Sequence, residues 1–235
     1  MLAPMVRAVR RLAGLATTGV LAGVLAGCAG VGQPAPYDST GINGLVIPTP
    51  SPDADDFVGG VDNPWLPLEP QATWRYDVTE AGRSVGTIEA EVAGSTTEVA
   101  GLAATALTLT TTIDGDTEVE TRLYAQDEDG NVWLVGVDVA TGHSWRAGED
   151  GAEAGLAMPA RPRLGDGWLT YAVPTLPEAS TTVEDQSREM VQMRSQEGGQ
   201  ESGEADTATR TVHEKGVGLV SIEDLDAGWL AQRVD

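Results

Sequence analysis

The sequence predicts an all-β fold, a single antiparallel meander sheet curled into an open or closed barrel. Two observations lead there. From Thr73 onward apolar residues alternate with polar ones instead of recurring every three or four positions, which is the period of half-buried strands. Between the alternating runs stand short turn signals, several built on an Asp-Gly pair that supplies the positive φ a tight hairpin needs.

The runs follow in order. In TWRYDVT, Trp74, Tyr76 and Val78 share one face and Arg75 and Asp77 the other. In TALTLTTTI, Leu107, Leu109 and Ile113 oppose Thr108, Thr110 and Thr112, and in EVETRLYA, Val119, Leu123 and Ala125 oppose Glu118, Glu120 and Arg122. VWLVGVDV is expected to place Trp133, Val135, Val137 and Val139 on one face. Turns are expected at EAGR (80 to 83), IDGD (113 to 116), DEDGN (127 to 131) and ATGH (140 to 143). Further strands are expected at 84 to 92, 168 to 173, 182 to 194, 207 to 214, 219 to 224 and 229 to 234, and EGGQESGEAD (197 to 206) reads as a polar hairpin loop.

One long interruption breaks this rhythm. The stretch from His143 to Trp168 has little alternation and exceeds a tight turn; loops of this length carry function or cover a sheet edge. The chain holds six Trp against one Phe. Trp74 and Trp133 lie on alternating faces and are assigned to the core, whereas Trp145 and Trp168 flank the interruption and are the candidate ligand contacts.

Ahead of the strands the composition changes twice. MLAPMVRAVRR carries Arg7, Arg10 and Arg11 without an acid and leads into sixteen uncharged residues, 12 to 27, too short for the roughly 20 that span a bilayer as a helix. This is the layout of an export signal. LAGC, residues 25 to 28, resembles the lipobox of bacterial lipoproteins, and the resemblance implies diacylglyceryl transfer to the Cys28 thiol with cleavage just before it. Residues 1 to 27 are then a signal peptide. Residues 28 to 56, rich in Pro, Gly, Ser and Asp, form a flexible tether with a reach of about 30 Å, and 57 to 235 form one globular domain. Cys28 is the sole cysteine, so no disulfide within the chain supports the fold.

Charge narrows the partners. Residues 1 to 27 hold three of the 14 Lys and Arg and none of the 36 acids, so the remainder carries 11 bases against 36 acids, a net charge of −25. Such a surface repels nucleic-acid phosphates and anionic headgroups, so neither a nucleic-acid partner nor direct polybasic binding to a membrane is expected.

Recognised chemistry is sparse. Asp127 and Asp129 are spaced like the first ligands of a calcium loop, but that loop wants Gly at its sixth position and Glu at its twelfth, and here Gly130 is fourth. GHSWR fits a nucleophile elbow at Gly142 and Ser144 and fails at Arg146. With two histidines, His143 and His213, and no usable cysteine, the sequence offers no characteristic zinc set. No glycine loop precedes a helix to hold a nucleotide. No metal, no cofactor and no catalytic residue is expected.

Four stretches, NPWLPLEPQATWRY (63 to 76), YAQDEDGNVWLVG (124 to 136), SWRAGEDGAEAGLAMPARPRLGD (144 to 166) and EKGVGLV (214 to 220), are together similar to an uncharacterised family of exported bacterial β-rich proteins. The chain departs at Val212 and His213, where that family has an aromatic pair. The resemblance implies a shared fold and location and transfers no site. The expected function is that of a protein lipid-anchored through Cys28 to the extracytoplasmic side of the cell membrane, acting as a noncatalytic binding or interaction module for a protein partner or apolar ligand. Two alternatives are a carrier of a lipid or other apolar ligand in a half-open barrel, and an extracytoplasmic hydrolase using acidic residues.

Overall fold

The alternation that begins at Thr73 is the wall of a closed ring of strands. The computed structural model describes residues 54 to 198 and 207 to 234, all within the unit Asp38–Asp235. Cys28, the expected signal peptide, the tether up to residue 53 and residues 199 to 206 of the polar loop lie outside the described residues.

A short 3-10 turn, Ala54–Asp56, leads into β1 (Phe57–Val58). The wall begins with β2 (Thr73–Glu80) and β3 (Arg83–Val92), followed by β4 (Thr97–Val99), β5 (Leu102–Ile113), β6 (Asp116–Asp127) and β7 (Val132–Val139). β8 (Trp145–Arg146), β9 (Glu153–Met158), β10 (Gly167–Ala172) and β11 (Ala179–Gln186) come next. β12 (Met190–Glu197), β13 (Thr207–Glu214), β14 (Gly218–Asp224) and β15 (Trp229–Val234) complete it. All fifteen belong to one antiparallel sheet. Apart from β1, β4 and β8, each strand pairs with its neighbours in chain order, and the meander closes where β15 meets β2 from Trp229↔Glu80 to Val234↔Arg75. The ring is irregular as well as closed. β9 joins β10 only through Tyr171↔Ala154 and Ala172↔Glu153, and β9 and β8 share one edge of β7.

Closure gives every strand an inner and an outer face, and both are packed. Inside, Tyr76, Val78, Ile88, Ala90, Leu107, Val183, Val191 and Met193 form a continuous apolar cluster. Outside, Leu123 and Ala125 of β6 and Trp133 and Val135 of β7 are buried beneath Val99, Leu102 and Ala104 of the β4–β5 hairpin, with Phe57 against them. Two-sided burial over β6, β7 and β9 makes this quarter of the ring the thickest part of the fold.

The two ends differ. At one end the residues between β1 and β2 fold across the opening: Val61 bridges Leu68, and Trp65, Leu66 and Leu68 are buried in the inner cluster. Polar groups lock this plug. Asn63, 1 % exposed, donates its amide to the carbonyls of Gly130 (2.8 Å) and Pro159 (3.3 Å) and accepts from the Trp65 amide (2.8 Å). Gln126 Oε1 accepts from the Asp62 and Asn63 amides, and the Pro64 carbonyl accepts from Gly216 N. Asn131 Oδ1 takes the Ala160 amide, while the Asp127 carboxylate takes Asn131 N (2.8 Å) and Trp133 Nε1 (2.8 Å). Residues of all four stretches that carry the resemblance thus meet at the plug. At the opposite end lie the β2–β3, β5–β6 and β14–β15 turns and the residues linking β7 to β8.

Most expected turns appear. Ala81 and Gly82, then Asp114 and Gly115, all have positive φ in the hairpins at EAGR and IDGD, and Gly130 adopts φ +86° in DEDGN. Three expectations are corrected. The four alternate residues of β7 do not share a face: Tyr124 pairs with Leu134 but Leu123 with Gly136, and this bulge sends Trp133 and Val135 outward while Val137 packs inward. The expected strand at 182 to 194 is a hairpin, because the Ser187 hydroxyl accepts from the Glu189 and Met190 amides and turns the chain between β11 and β12. The interruption at 143 to 168 contains two strands, β8 and β9, and β9 is a ring member.

Candidate functional site

β6 decides the character of the interior. Its outer face at Leu123 and Ala125 is claimed by the β4–β5 hairpin, so its polar face, Glu118, Glu120, Arg122 and Tyr124, turns toward the lumen. Arg122 Nε donates to Glu120 Oε1. Its side chain keeps 43 % of its accessible surface and lines a cavity on the inner side of the ring.

The cavity measures about 120 Å³. One wall is apolar and aromatic, with Trp74, Tyr76, Leu107, Leu109 and Leu134. Trp74 Nε1 donates to Tyr76 Oη (2.6 Å), which donates onward to the Leu219 carbonyl (2.9 Å), so both rings are fixed. The facing wall, on β10, β11 and β12, is a ladder of hydroxyls: Thr170 and Thr181 lie 2.9 Å apart, and Thr181 and Ser195 2.8 Å apart. Thr211 and His213 continue it on β13.

The charge states follow from this enclosure. Burial works against the Arg122 charge, but the Glu120 carboxylate and the Tyr124 hydroxyl oxygen beside it outweigh that cost and hold the guanidinium above its ordinary range. Burial pushes the Tyr124 hydroxyl up, against the pull of Arg122, and raises Tyr76 to about 12. His213 is lowered to about 4 by burial, which its bond to the Trp65 carbonyl (3.0 Å) only partly offsets. The carbonyl cannot donate, so Nδ1 carries the proton and the ring is neutral at pH 7. The lumen therefore offers one fixed cation paired with one carboxylate, neutral hydroxyls and an aromatic wall. These are groups that bind and orient.

The tryptophans at 145 and 168 fall beside this cavity without lining it. Trp145, 8 % exposed, stacks at a tilt on Tyr171 with ring centres 5.7 Å apart. Tyr171 donates to Glu197 Oε1 (2.7 Å), and burial, with Glu197 next, drives its hydroxyl well above the ordinary range. Trp168 is half-buried against both apolar clusters, and its Nε1 is enclosed without a hydrogen-bond partner. The Ser144 hydroxyl, once a nucleophile candidate, bonds to the backbone of Val139 and holds a turn. Sequence reading missed Glu120, Arg122 and Tyr124, whose signal was the alternation of β6 with its inner and outer faces exchanged. No protein-family model, curated protein or solved structure matches the chain.

Proposed function

We propose that the protein is an envelope protein anchored through a lipid on Cys28, on the extracytoplasmic side of the membrane, and that it binds a small ligand noncatalytically inside the ring. The observation that supports this most is Arg122: a guanidinium whose free surface opens into a half-aromatic and half-hydroxylic cavity inside the ring. A group of this kind is expensive to enclose unless something polar meets it. Glu120 meets one edge of it.

Size limits the ligand. A cavity of about 120 Å³ lies below the roughly 300–1,000 Å³ of drug-sized pockets and near the roughly 150 Å³ that admits a benzene ring. A compound of about six to eight non-hydrogen atoms fits, its flat or apolar side on Trp74 and Tyr76 and its polar end toward Arg122 and the Thr181 and Ser195 hydroxyls. Carriage of a full lipid chain would require the ring to open.

Native mass spectrometry of the protein extracted from its own membrane tests the proposal. An added mass below about 200 Da is expected, and Arg122→Met should abolish it while the variant still folds by circular dichroism. Apo masses alone in both proteins would remove the lumen as the site and leave a surface role.

A further inference from the structure

We infer that the lumen is built for an uncharged ring compound whose polar end is a carbonyl, and that the Glu120–Arg122 pair keeps ions out of it. The inference rests on the proposed binding of a small ligand inside the ring, and deepens it by giving the chemical class of that ligand.

Hydrogen bonding decides the polar end. A guanidinium carries five N–H groups and no acceptor. Arg122 commits Nε to Glu120 Oε1, and its side chain keeps the surface that opens into the cavity. Whatever meets that surface must accept. On the facing wall Thr170, Thr181 and Ser195 share two contacts, of 2.9 and 2.8 Å. Two contacts use two of the three hydroxyl protons, whichever way each is directed, so one proton is left to donate. The proton of Tyr76 goes to the Leu219 carbonyl, and that of His213 Nδ1 to the Trp65 carbonyl. The hydroxyls and His213 Nε2 can also accept, but Arg122 cannot, so an acceptor is the one function that the polar end of the ligand must have.

Charge decides the rest. The ionised groups in and beside the cavity balance: Arg122 against Glu120, both on β6, and Arg233, whose guanidinium lies 4.9 Å from the Trp74 ring, against Glu197, which takes the Tyr171 proton. Tyr76, Tyr124 and Tyr171 keep their protons and His213 stays neutral at pH 7, because burial works against the charged form of each. Toward both ends of the ring the balance turns acidic, with Asp114, Asp116 and Glu118 at one and Asp127, Glu128 and Asp129 at the other. An anion inside would meet Glu120 across the same guanidinium, and a cation would meet the guanidinium itself. Either would add an unmatched charge to a site from which it displaces water. A carbonyl oxygen takes a guanidinium proton without adding charge.

The remaining wall shapes the body of the ligand. Trp74 and Tyr76 are fixed by their own hydrogen bonds and, with Leu107, Leu109 and Leu134, offer apolar surface to one side of a ring. Lactams, lactones, pyrones and small cyclic ketones combine such a body with an uncharged acceptor at one end. A single ring is also what a cavity of about 120 Å³ admits.

The test uses the full chain, processed by its host and held in detergent micelles, with three soluble probes of similar size. γ-Pyrone is flat, uncharged and ends in a carbonyl; 2-furoate is an anion; 4-aminopyridine is a cation at pH 7. Binding is read by ligand-observed NMR as the difference between the wild-type chain and Arg122→Met, so that partition into micelles cancels. If Arg122→Met loses its fold with Glu120 unpaired, Glu120→Gln/Arg122→Met takes its place as the reference. The wild type should bind γ-pyrone at least about tenfold more tightly than either ion. Glu120→Gln leaves the Arg122 charge unmatched, so there 2-furoate should gain at least about tenfold while 4-aminopyridine gains nothing. Binding of either ion by the wild type as tightly as γ-pyrone, lost in Arg122→Met, overturns the inference and leaves the lumen as a binding site. A Glu120→Gln chain that still rejects 2-furoate overturns the role given to the pair. No difference between the wild type and Arg122→Met for any probe also overturns the inference, and the lumen then stands or falls on the added mass sought by native mass spectrometry.

Discussion

The side-chain amide of Asn63 donates to the carbonyl of Gly130 at 2.8 Å across 67 positions of sequence, joining the plug to the β6–β7 turn. The same amide reaches Pro159, and its oxygen takes the Trp65 amide. One side chain thereby satisfies three backbone groups from three separate segments.

Asn63→Ala orphans those three groups, and at about 1–3 kcal/mol for each buried group left unmet it should cost at least about 3 kcal/mol in urea unfolding. Asn63→Asp should be no better, because its second oxygen would face two carbonyl oxygens with no proton to offer. An Asp variant of wild-type stability would show that the plug is held some other way.

His213 ties stability to pH. Its folded value of about 4 lies below the unfolded value of about 6.5, so between these values the unfolded chain binds the extra proton. The stabilisation from keeping the ring neutral is complete above about pH 6.5, declines as pH falls, and is gone below about pH 4, a total of about 3 kcal/mol. In His213→Leu the difference from wild type should itself vary with pH across this window. A difference constant from pH 7 to pH 4 would mean that the ring takes up its proton as readily in the fold as in the unfolded chain.

Gly155 is required by the narrowest junction of the ring. A Cβ there would lie 2.2 Å from the Thr170 carbonyl carbon and oxygen and 2.5 Å from Tyr171 N, all backbone atoms. β9 would have to leave β10, with which it shares only two residue pairs. Gly155→Ala should therefore destabilise by at least about 2 kcal/mol, whereas Gly59→Ala, with nothing within 4 Å, should be close to neutral. Equal melting temperatures for the two variants would refute this account of the junction.

Where one face of a strand meets solvent, the sequence could be read: Trp74, Tyr76 and Val78 pack inward while Arg75 and Asp77 pair outside at 2.8 Å. β9 was hidden for the opposite reason. After the exposed Glu153, AGLAM is covered on both faces, so only small and apolar residues occur there and no alternation survives. β6 shows a third case, since the period is plain but the face that meets water is the inner one. The Arg122 cavity was illegible because a period of two fixes which residues share a face and leaves open which face encloses the lumen.

The long stretch from His143 to Trp168 was the place where sequence suggested a ligand contact, and its two tryptophans are now distinguishable. Trp145 is buried against Tyr171 beside β7, where Val137 is its register partner, so Trp145→Ala empties a packed site and should cost about 3–5 kcal/mol. Trp168 is only half-buried and keeps an unbonded Nε1, a donor that costs about 1–3 kcal/mol while unmet. Trp168→Phe removes that donor and keeps most of the apolar contact, so its melting temperature should match or exceed that of wild type. If the indole instead serves a ligand, Trp168→Phe should weaken retention of the species seen by native mass spectrometry without loss of stability. A large fall in melting temperature for Trp168→Phe would show that the Nε1 proton has a structural partner and would withdraw Trp168 from the candidate ligand contacts.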